Sequence, residues 1–319
     1  MSILINKAGI LTTLQDLGRN GFKRFGINQN GAMDKIAVRL INFLLGNDEK
    51  AAVLEMHFPA PEIFFEEDSV FALGGADFSA KLDNKIMENW RIHCAQKGST
   101  LKFTQKIFGN RGYLAIKGGL KIETWLGSAS TNLKANIGGF EGRKLKSDDR
   151  IFFNSKFQVP GSDLNFKVSN SLIPFYSKFP TVRVLKGAEF ELLTTQSQDN
   201  FLDENFIITQ NSDRMGFRLQ GASLQLQTAM EIVSSAVNFW TIQLLPDGQM
   251  IVLMADHQTS GGYPRLANVI STDLPLLAQL CTNDKVAFHL ISIEEAENLL
   301  VKFENDLNLL RLACKFRQP

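Results

Sequence analysis

The chain has 319 residues, of which 44% are hydrophobic and 21% are charged, and this length suits one large domain or two domains of about 150 residues each. Its 34 basic and 33 acidic residues give a formal net charge of +1. No global field therefore draws the protein to nucleic acid or to a membrane surface, and the composition predicts neither partner.

Local patterns also predict no export signal, no membrane span and no structural zinc site. The sequence has no run of about 18 apolar residues and no basic segment followed by an apolar stretch and a cleavage site after Met1. Its cysteines, Cys94, Cys281 and Cys314, are far apart, odd in number and outside any CxxC pair. We therefore expect a cytoplasmic protein without a disulfide framework.

Short strands dominate the predicted secondary structure. Runs of alternating or β-branched residues are separated by glycine and Asn/Asp turns, which predicts a mainly β protein. The predicted strands include 3–5, 69–73, 112–116, 181–185, 206–209 and 250–254. Such spacing favours barrels or sandwiches over a doubly wound α/β fold, which needs a helix between most strands.

Two helices carry clear terminal signals. Asp34 occupies the N-cap position of an amphipathic segment that ends at Gly46. Ser292 and Glu295 form a capping box before a second helix, whose apolar stripe extends to about Cys314. We expect this stripe to pack on the protein's own core, with contact to a partner as the alternative.

A weak internal repeat suggests two related halves. Residues 19–26 resemble residues 214–221, each with an arginine, a Gly-Phe pair and a final glycine at the same spacing. An apolar strand ending in Ala-Asp follows each of them, at Asp77 and at Asp256. The repeat predicts two β domains joined through the polar stretch 154–171, and chance similarity is the alternative.

Two glycine-rich segments in the N-terminal half, 12–34 and 118–145, have the composition of binding loops. Glycines let a ligand approach backbone N–H groups, and arginine binds carboxylate or phosphate bidentately. Both segments also fit ordinary surface loops. Their candidate residues are Gln15, Asp16, Arg19, Arg24, Ser128, Ser130 and Arg143.

Two further segments, 210–221 and 254–270, follow the same logic in the C-terminal half. Asp213 and Arg214 have two interpretations. They are either a turn-capping aspartate beside a surface arginine, or an acid with the cation that orients it. His257 is the only histidine in a polar cluster, which makes it a candidate general base, with a loop histidine of no chemical role as the alternative. The other candidates are Asp256, Gln258, Thr259, Gly261, Gly262 and Tyr263.

The common catalytic motifs are missing. The sequence has no GxSxG elbow, HExxH zinc motif, P-loop or Rossmann fingerprint. From its residues alone, we predict a small-molecule enzyme or a binding subunit, with an Arg/Gly surface suited to anions.

Several long motifs occur in order from about residue 3 to residue 297. The motifs are TLQDLGRNGFKRFGIN…GAMD, LLGNDEKAAVLE, LGGADF, LGSAST with GGFEGRKL, SDRMGFRLQG, PDGQMIVLMADHQTSGGYP and ISIEEAE. They resemble those of the family formed by the C subunits of 5-oxoprolinase, also called KipA, allophanate hydrolase subunit 2 or biotin-dependent carboxyltransferase-type protein.

The resemblance implies a fold of two cyclophilin-like β-barrel subdomains with few helices. For this chain we place them at 1–165 and 166–319, the second with the C-terminal helix, and leave open an exchange of strands between them. It also implies a heteromeric complex with two partners, which are a KipI-like B subunit and a separate A subunit.

The activity implied by the resemblance is ATP-dependent opening of 5-oxo-L-proline to L-glutamate through a phosphorylated lactam, with ATP and Mg²⁺ held at the level of the complex. Two alternatives exist within the family: transfer of a carboxyl group from carboxybiotin to urea or another amide, and binding of a KipI-like inhibitor of a sensor kinase. The chain has no Met-Lys-Met segment for a biotinyl-lysine. We therefore expect no biotin on this chain and favour the oxoprolinase.

Many of the candidate residues occupy motif positions usual for the family, and we assign roles to the candidates as a hypothesis. Arg19 and Arg214 are expected to bind anionic groups, Asp256 and Gln258 to orient the lactam or phosphoryl oxygens, and Asp16 to handle a metal ion or proton. The expected substrate-binding residues are Gln15, Asp34, Asp213, His257, Thr259, Gly261, Gly262, Tyr263, Ser128, Ser130 and Arg143.

Four positions depart from the family pattern. Ala129 replaces an arginine and Trp240 replaces a glycine. Ala60 replaces the glycine of a Gly-Pro pair, and Met250 replaces a proline. Loss of the arginine at 129 removes one expected anion contact.

Overall fold

The computed structural model describes residues 1–154, 166–228 and 230–317. Within it the chain divides into two compact units. Unit 1 comprises Met1–Arg19, Asn30–Pro174 and Glu304–Pro319, and unit 2 comprises Asn20–Gln29 and Phe175–Phe303. Most of the predicted connection, residues 155–165, lies outside the described residues, so the boundary after residue 165 stays a prediction.

Unit 1 consists of two antiparallel sheets and one long helix of its own. Its strands are β1 (Ser2–Lys7), β2 (Thr12–Gln15), β3 (Val53–Met56), β4 (Glu62–Phe65), β5 (Ser69–Asp77), β6 (Ala80–Leu82), β7 (Lys85–Ile86), β8 (Ile92–Ala95), β9 (Thr100–Phe103), β10 (Phe108–Ile116) and β11 (Arg150–Phe152). The sheet orders are β11-β1-β4-β9-β6-β7 and β2-β3-β10-β5-β8.

The core of unit 1 contains residues from both sheets. Ile3 and Phe65 come from the six-stranded sheet, and Leu14, Leu73 and Leu114 come from the five-stranded sheet. Helix α1 (Lys35–Leu45) packs against β5 and β10. These two central strands are therefore covered by other elements, which explains why their sequences are apolar over long runs instead of strictly alternating.

Helix α1 begins and ends where the sequence predicts. The Asp34 carboxylate accepts a hydrogen bond from Ala37 N at 2.9 Å, and Gly46 adopts a left-handed conformation with φ of 67° after the last turn. Both predicted caps are confirmed.

Unit 2 is built on a closed barrel. Its strands are β12 (Thr181–Lys186), β13 (Phe206–Ile208), β14 (Gly216–Gln220), β15 (Ser235–Ala236), β16 (Thr241–Leu244), β17 (Met250–Leu253), β18 (Ser260–Gly261), β19 (Arg265–Val269) and β20 (Lys285–Leu290). The barrel order is β12-β19-β16-β17-β14-β13-β20, closed by the parallel pair β12 and β20. Strands β15 and β18 form a separate ribbon.

Three further α-helices follow along the chain, α2 (Thr195–Asp203), α3 (Leu274–Ala278) and α4 (Ile293–Arg317), and short 3₁₀ helices lie at Lys23–Phe25, Asn170–Leu172 and Phe190–Leu192. The predicted capping box is present, because Glu295 N binds Ser292 Oγ and Ser292 N binds Glu295 Oε2, both at 3.1 Å. The fold is thus mainly β with few helices, as expected.

The apolar stripe of α4 is buried only in its C-terminal half. Leu307, Leu310 and Cys314 are at most 9% exposed, and the prediction that they pack on the protein's own core is confirmed. Leu300 is 37% exposed. None of the helices over the described ranges is both long and apolar enough to cross a membrane.

Candidate functional site

Nine of the sixteen predicted site residues gather in two clusters, one in each unit. The Asp16 cluster of unit 1 consists of Gln15, Asp16, Arg19, Ser128 and Ser130. The Arg214 cluster of unit 2 consists of Arg214, Gln243, Asp256, His257 and Gln258. Each joins segments that are far apart in the sequence.

Asp16 lies directly after β2 and is 6% exposed. Its carboxylate accepts hydrogen bonds from Gly18 N at 2.7 Å, Ser128 Oγ at 2.7 Å, Ala129 N at 2.6 Å and Ser130 Oγ. A carboxylate has about four lone-pair sites, so its acceptors are occupied by the loop that it holds. Handling of a metal ion or a proton by Asp16 would require one of these bonds to break.

Arg19 is enclosed within the same cluster, with 1% exposure. Its Nη1 donates to Asn30 Oδ1 and its Nη2 to the Ser130 carbonyl, both at 2.6 Å. The guanidinium carbon lies 5.1 Å from the centre of the Trp125 ring. A Cβ atom at Gly138 would lie only 2.9 Å from Nη2, so the glycine there gives the arginine its space. Binding of an anion by Arg19 would require exchange of these contacts.

The remaining contacts tie the loop at 128–131 to β2. Gln15 Nε2 donates to Thr13 Oγ1 at 3.1 Å and to the Thr131 carbonyl at 3.2 Å. Thr131 N in turn donates to the Leu14 carbonyl at 3.0 Å. The structure therefore brings together the two glycine-rich segments that the sequence singled out in the N-terminal half.

Two predicted substrate-binding residues of unit 1 make other contacts. Asp34 is 0% exposed and caps α1. Arg143 binds both oxygens of Asp149, at 2.6 and 2.9 Å, and also binds Glu141. The hydrogen bonds to Asp149 have the largest effect on the pKa of Arg143, which they raise, and the bond to Glu141 raises it further. Both residues thus have evident structural roles.

Arg214 and Asp256 form the centre of the second cluster. Antiparallel pairing of β14 and β17 places them side by side, and Asp256 N donates to the Arg214 carbonyl at 2.7 Å. Arg214 Nε and Nη2 bind the two oxygens of Asp256 at 2.9 and 3.1 Å, with side chains 10% and 11% exposed. This bidentate pair fixes both side chains and balances their charges.

Asp213 is a turn residue. Its Oδ1 accepts from Met215 N at 2.7 Å and from Gly216 N at 3.3 Å. Asp213 is therefore the turn cap that the sequence offered as one alternative. Arg214, however, is not a surface arginine, because it pairs with Asp256.

His257 and Gln258 follow in the chain. His257 is 0% exposed, and its Nδ1 contacts the Gln258 carbonyl. A substrate reaches this imidazole only after a local opening, and its role as a base stays a prediction. Gln258 Nε2 lies 3.5 Å from Gln243 Oε1.

Gln243 is a residue that the sequence reasoning missed. It lies in β16, is 0% exposed, and its Nε2 donates to the Tyr263 carbonyl at 3.2 Å. A Cβ atom at Gly261 would come within 3.0 Å of that nitrogen. A glutamine between the apolar Ile242 and Leu244 was the available signal.

The glycine turn after Gln258 is shaped by a short ribbon. Val237 N donates to the Thr259 carbonyl at 3.2 Å, and Gly261 pairs with Ser235. A Cβ at Gly262 would lie 3.1 Å from the Ile232 carbonyl. Tyr263, at the end of the turn, is 43% exposed and available for ligand contact.

Two residues of the first glycine-rich segment, 12–34, belong to unit 2. The sequence reasoning did not single them out. Asn28 Nδ2 donates to the Asp256 carbonyl at 3.1 Å. Lys23 Nζ donates to Asn238 Oδ1 at 2.9 Å and lies 3.5 Å from the Val237 carbonyl. Arg24, which the sequence did single out, is exposed and lies over the Phe25 ring.

The two halves of the internal repeat make different contacts. Arg214 binds Asp256, whereas Asp77 accepts from Ser79 N at 2.8 Å and Arg19 binds Asn30. The similarity of the two sequence segments therefore does not extend to these interactions.

The departures from the family pattern have local consequences. Trp240 has a φ of 99°, a conformation that favours glycine, so the tryptophan there is strained. Ala129 is 5% exposed and contributes its backbone N–H to Asp16. Met250 is 1% exposed in β17. Nothing in the structure explains the alanine at position 60.

Comparison with known proteins places this arrangement in a family. A family model described as "Carboxyltransferase domain, subdomain A and B" matches residues 25–290. The C subunit of the Haemophilus influenzae 5-oxoprolinase is 38% identical over 301 residues, covering 94% of each chain. The Escherichia coli protein of the same name is 38% identical over 293 residues, covering 92% of each.

A solved structure shows the same fold. The urea carboxylase of Kluyveromyces lactis superposes with a TM-score of 0.90 at 25% identity, covering 97% of this chain and 29% of that one. The present chain thus spans less than a third of the urea carboxylase. The chain belongs to the carboxyltransferase domain family that comprises subdomains A and B.

Proposed function

We propose that the chain is the C subunit of a heteromeric, ATP-dependent 5-oxoprolinase, active only together with a KipI-like B subunit and a separate A subunit. The observation that carries the proposal is the correspondence over nearly the whole length with two proteins named as the C subunit of 5-oxoprolinase, at 38% identity. The match to urea carboxylase instead covers 29% of a much longer chain.

The chemistry suits a two-stage reaction. A lactam is a stable amide, so its oxygen first takes the γ-phosphoryl group of ATP, with release of ADP. Water then adds to the activated carbon, the ring C–N bond breaks, and phosphate and L-glutamate are released. Most of the catalysis of phosphoryl transfer comes from positioning and from charge stabilisation.

The Arg214 cluster supplies such positioning in this proposal. The Arg214–Asp256 pair is held in a single bidentate geometry, and Gln258 is in contact with the buried Gln243. Fixed amide and guanidinium donors orient lactam or phosphoryl oxygens without the cost of ordering them during the reaction.

The described residues do not fit Mg²⁺. They include no group of three or more His, Cys, Asp or Glu side chains arranged to hold a metal ion. Asp16 is fully occupied by loop donors and Asp256 by Arg214. We therefore assign ATP and its Mg²⁺ to the complex and derive no step through the metal on this chain.

The test measures ADP release and L-glutamate formation from 5-oxo-L-proline. The chain is assayed alone, with the KipI-like partner, and with both partners together. We expect both products only in the complete mixture and in equal amounts. A tight complex of all three proteins that forms no glutamate would overturn the proposal.

Carboxyl transfer is the second candidate. It is favoured by the family of the chain and by the TM-score of 0.90 to urea carboxylase. In this case the same complex would consume carboxybiotin presented on a separate carrier and carboxylate an amide, a reaction followed with radiolabelled bicarbonate.

A further inference from the structure

The segment Asn20–Gln29 contains two cations whose charges are not balanced. Among the residues that the structure describes, neither Lys23 nor Arg24 has a carboxylate within salt-bridge distance. Arg24 is exposed, so water compensates its charge. Lys23 is half-buried, and burial lowers the pKa of its ammonium group.

The contacts of Lys23 are with neutral oxygens. Its ammonium group has three N–H donors, of which one is well used by Asn238 Oδ1 at 2.9 Å. The Val237 carbonyl, at 3.5 Å, is at the limit of hydrogen bonding. A partly desolvated cation without a counter-ion is costly, and such groups are concentrated at functional sites.

The position of Lys23 links it to the Arg214 cluster. Val237, next to Asn238, binds the Thr259 carbonyl, one residue from Gln258. Asn28, in the same segment as Lys23, binds the Asp256 carbonyl. Because Asp256 already balances Arg214, Lys23 supplies the uncompensated positive charge beside this cluster.

The backbone around Lys23 leaves access for a ligand. Gly21 and Gly26 flank the turn with φ of 91° and 76°, and a Cβ built at either meets nothing within 4 Å. Open space therefore lies next to the backbone at both glycines.

We infer that Lys23 is an anion-binding residue of the Arg214 cluster, held by Asn238, and that it binds a carboxylate or phosphoryl oxygen of the ligand. The identity of the ligand rests on the proposed function: the anion is the carboxylate of 5-oxo-L-proline or the phosphoryl group transferred to it. Asn238 is a positioning residue that acts through Lys23.

The first test is direct titration of the full chain by calorimetry, with 5-oxo-L-proline, its uncharged carboxamide and inorganic phosphate as probes. We expect Lys23→Gln to weaken binding of one anionic probe about 10- to 100-fold, as for loss of a charged hydrogen bond. Lys23→Arg should retain most of the affinity, and Asn238→Ala should lose a few-fold. The uncharged carboxamide should bind the wild type and the Lys23→Gln variant with equal affinity.

Lys117→Gln is the matched control, because Lys117 is also half-buried with its pKa lowered by burial but lies in unit 1. It should bind all probes like the wild type. Wild-type protein that binds neither anion, or equal binding by wild type and Lys23→Gln, would overturn the inference.

Kinetics of the reconstituted complex separate the two sources of the anion. If Lys23 binds the substrate carboxylate, Lys23→Gln raises the KM for 5-oxo-L-proline with little change in kcat. If it binds the phosphoryl group, kcat falls and inhibition by phosphate is weakened. A wild-type complex without turnover contradicts the proposed function alone, since the titrations then still decide the role of Lys23.

Discussion

The two clusters neutralise a buried carboxylate in different ways. Asp16 in unit 1 is surrounded by neutral N–H and O–H donors from Gly18 and from the loop at 128–131. Asp256 in unit 2 is bound by the guanidinium of Arg214. The first arrangement fixes a loop in place, and the second fixes a charged pair at the ends of two barrel strands.

The difference shows where chemistry is to be expected. In unit 1 the cation of the cluster, Arg19, is 1% exposed and committed to protein oxygens. In unit 2 the Arg214 cluster contains an ion pair, Tyr263 at the end of the following glycine turn is 43% exposed, and Lys23 contacts neutral oxygens. Polar groups of the Asp16 cluster support the fold, whereas the Arg214 cluster, although largely buried, is followed in the chain by the exposed side chain of Tyr263.

The largest effect on stability is expected from Asp16→Asn. The amide NH₂ cannot accept from Ala129 N, and its single oxygen forms weaker hydrogen bonds with the remaining donors. We expect a loss of about 3 kcal/mol in the free energy of unfolding, measured by urea denaturation. Asp148→Asn, at an exposed position of unit 1, is the control and should leave the unfolding midpoint unchanged. Equal stability of the two variants would show that Asp16 does not hold the loop.

The next effect concerns Arg214. Arg214→Gln leaves the Asp256 carboxylate largely buried without its cation, which should cost about 2–3 kcal/mol and lower turnover of the complex at least about 100-fold. The double variant Arg214→Gln, Asp256→Asn should recover more than about 1 kcal/mol of stability but none of the activity. The assays are urea denaturation and glutamate formation.

Retention of the heteromeric complex, measured by size-exclusion chromatography, is the control for the Arg214 variants. Near-normal turnover by Arg214→Gln in an intact complex would remove the role proposed for the ion pair.

A smaller, pH-dependent effect is expected at the ion pair of Arg39 and Glu304. The hydrogen bonds from Arg39, at 2.6 and 2.8 Å, hold the pKa of Glu304 below its ordinary value of 4.5. The pair therefore stabilises the fold fully above about pH 4.5 and loses this contribution as the pH falls through the lower pKa of the folded state. Because Glu304 is 40% exposed, the contribution is about 0.5–1 kcal/mol.

Glu304→Gln tests this contribution. The difference in unfolding free energy between wild type and variant should be present at pH 7 and should shrink below pH 4. A difference that stays constant over this range would contradict the role assigned to the ionised carboxylate.

A similarly small effect is expected from Arg143→Gln. Its partners Asp149 and Glu141 are partly exposed, so the loss of stability should be about 1 kcal/mol or less. The KM for 5-oxo-L-proline should not change. A raised KM would return Arg143 to the substrate-binding residues predicted from the sequence.

Local features were predictable from the sequence, and long-range ones were not. The caps Asp34 and Gly46 depend on a few neighbouring residues, so their residue types were sufficient. The pairing of Arg214 with Asp256 depends on the register of β14 and β17, which single residues do not specify. Lys23 was missed because its partner Asn238 lies 215 residues away.

The interleaving of the two units constrains how the protein can be divided. Residues 20–29 belong to unit 2 although unit 1 flanks them, and residues from Glu304 onward return to unit 1. No single break in the chain therefore yields two self-sufficient fragments. A break between Pro174 and Phe175 would leave each fragment without a segment that the other carries. Such fragments would be expected to fold only when supplied together, as a complementing pair.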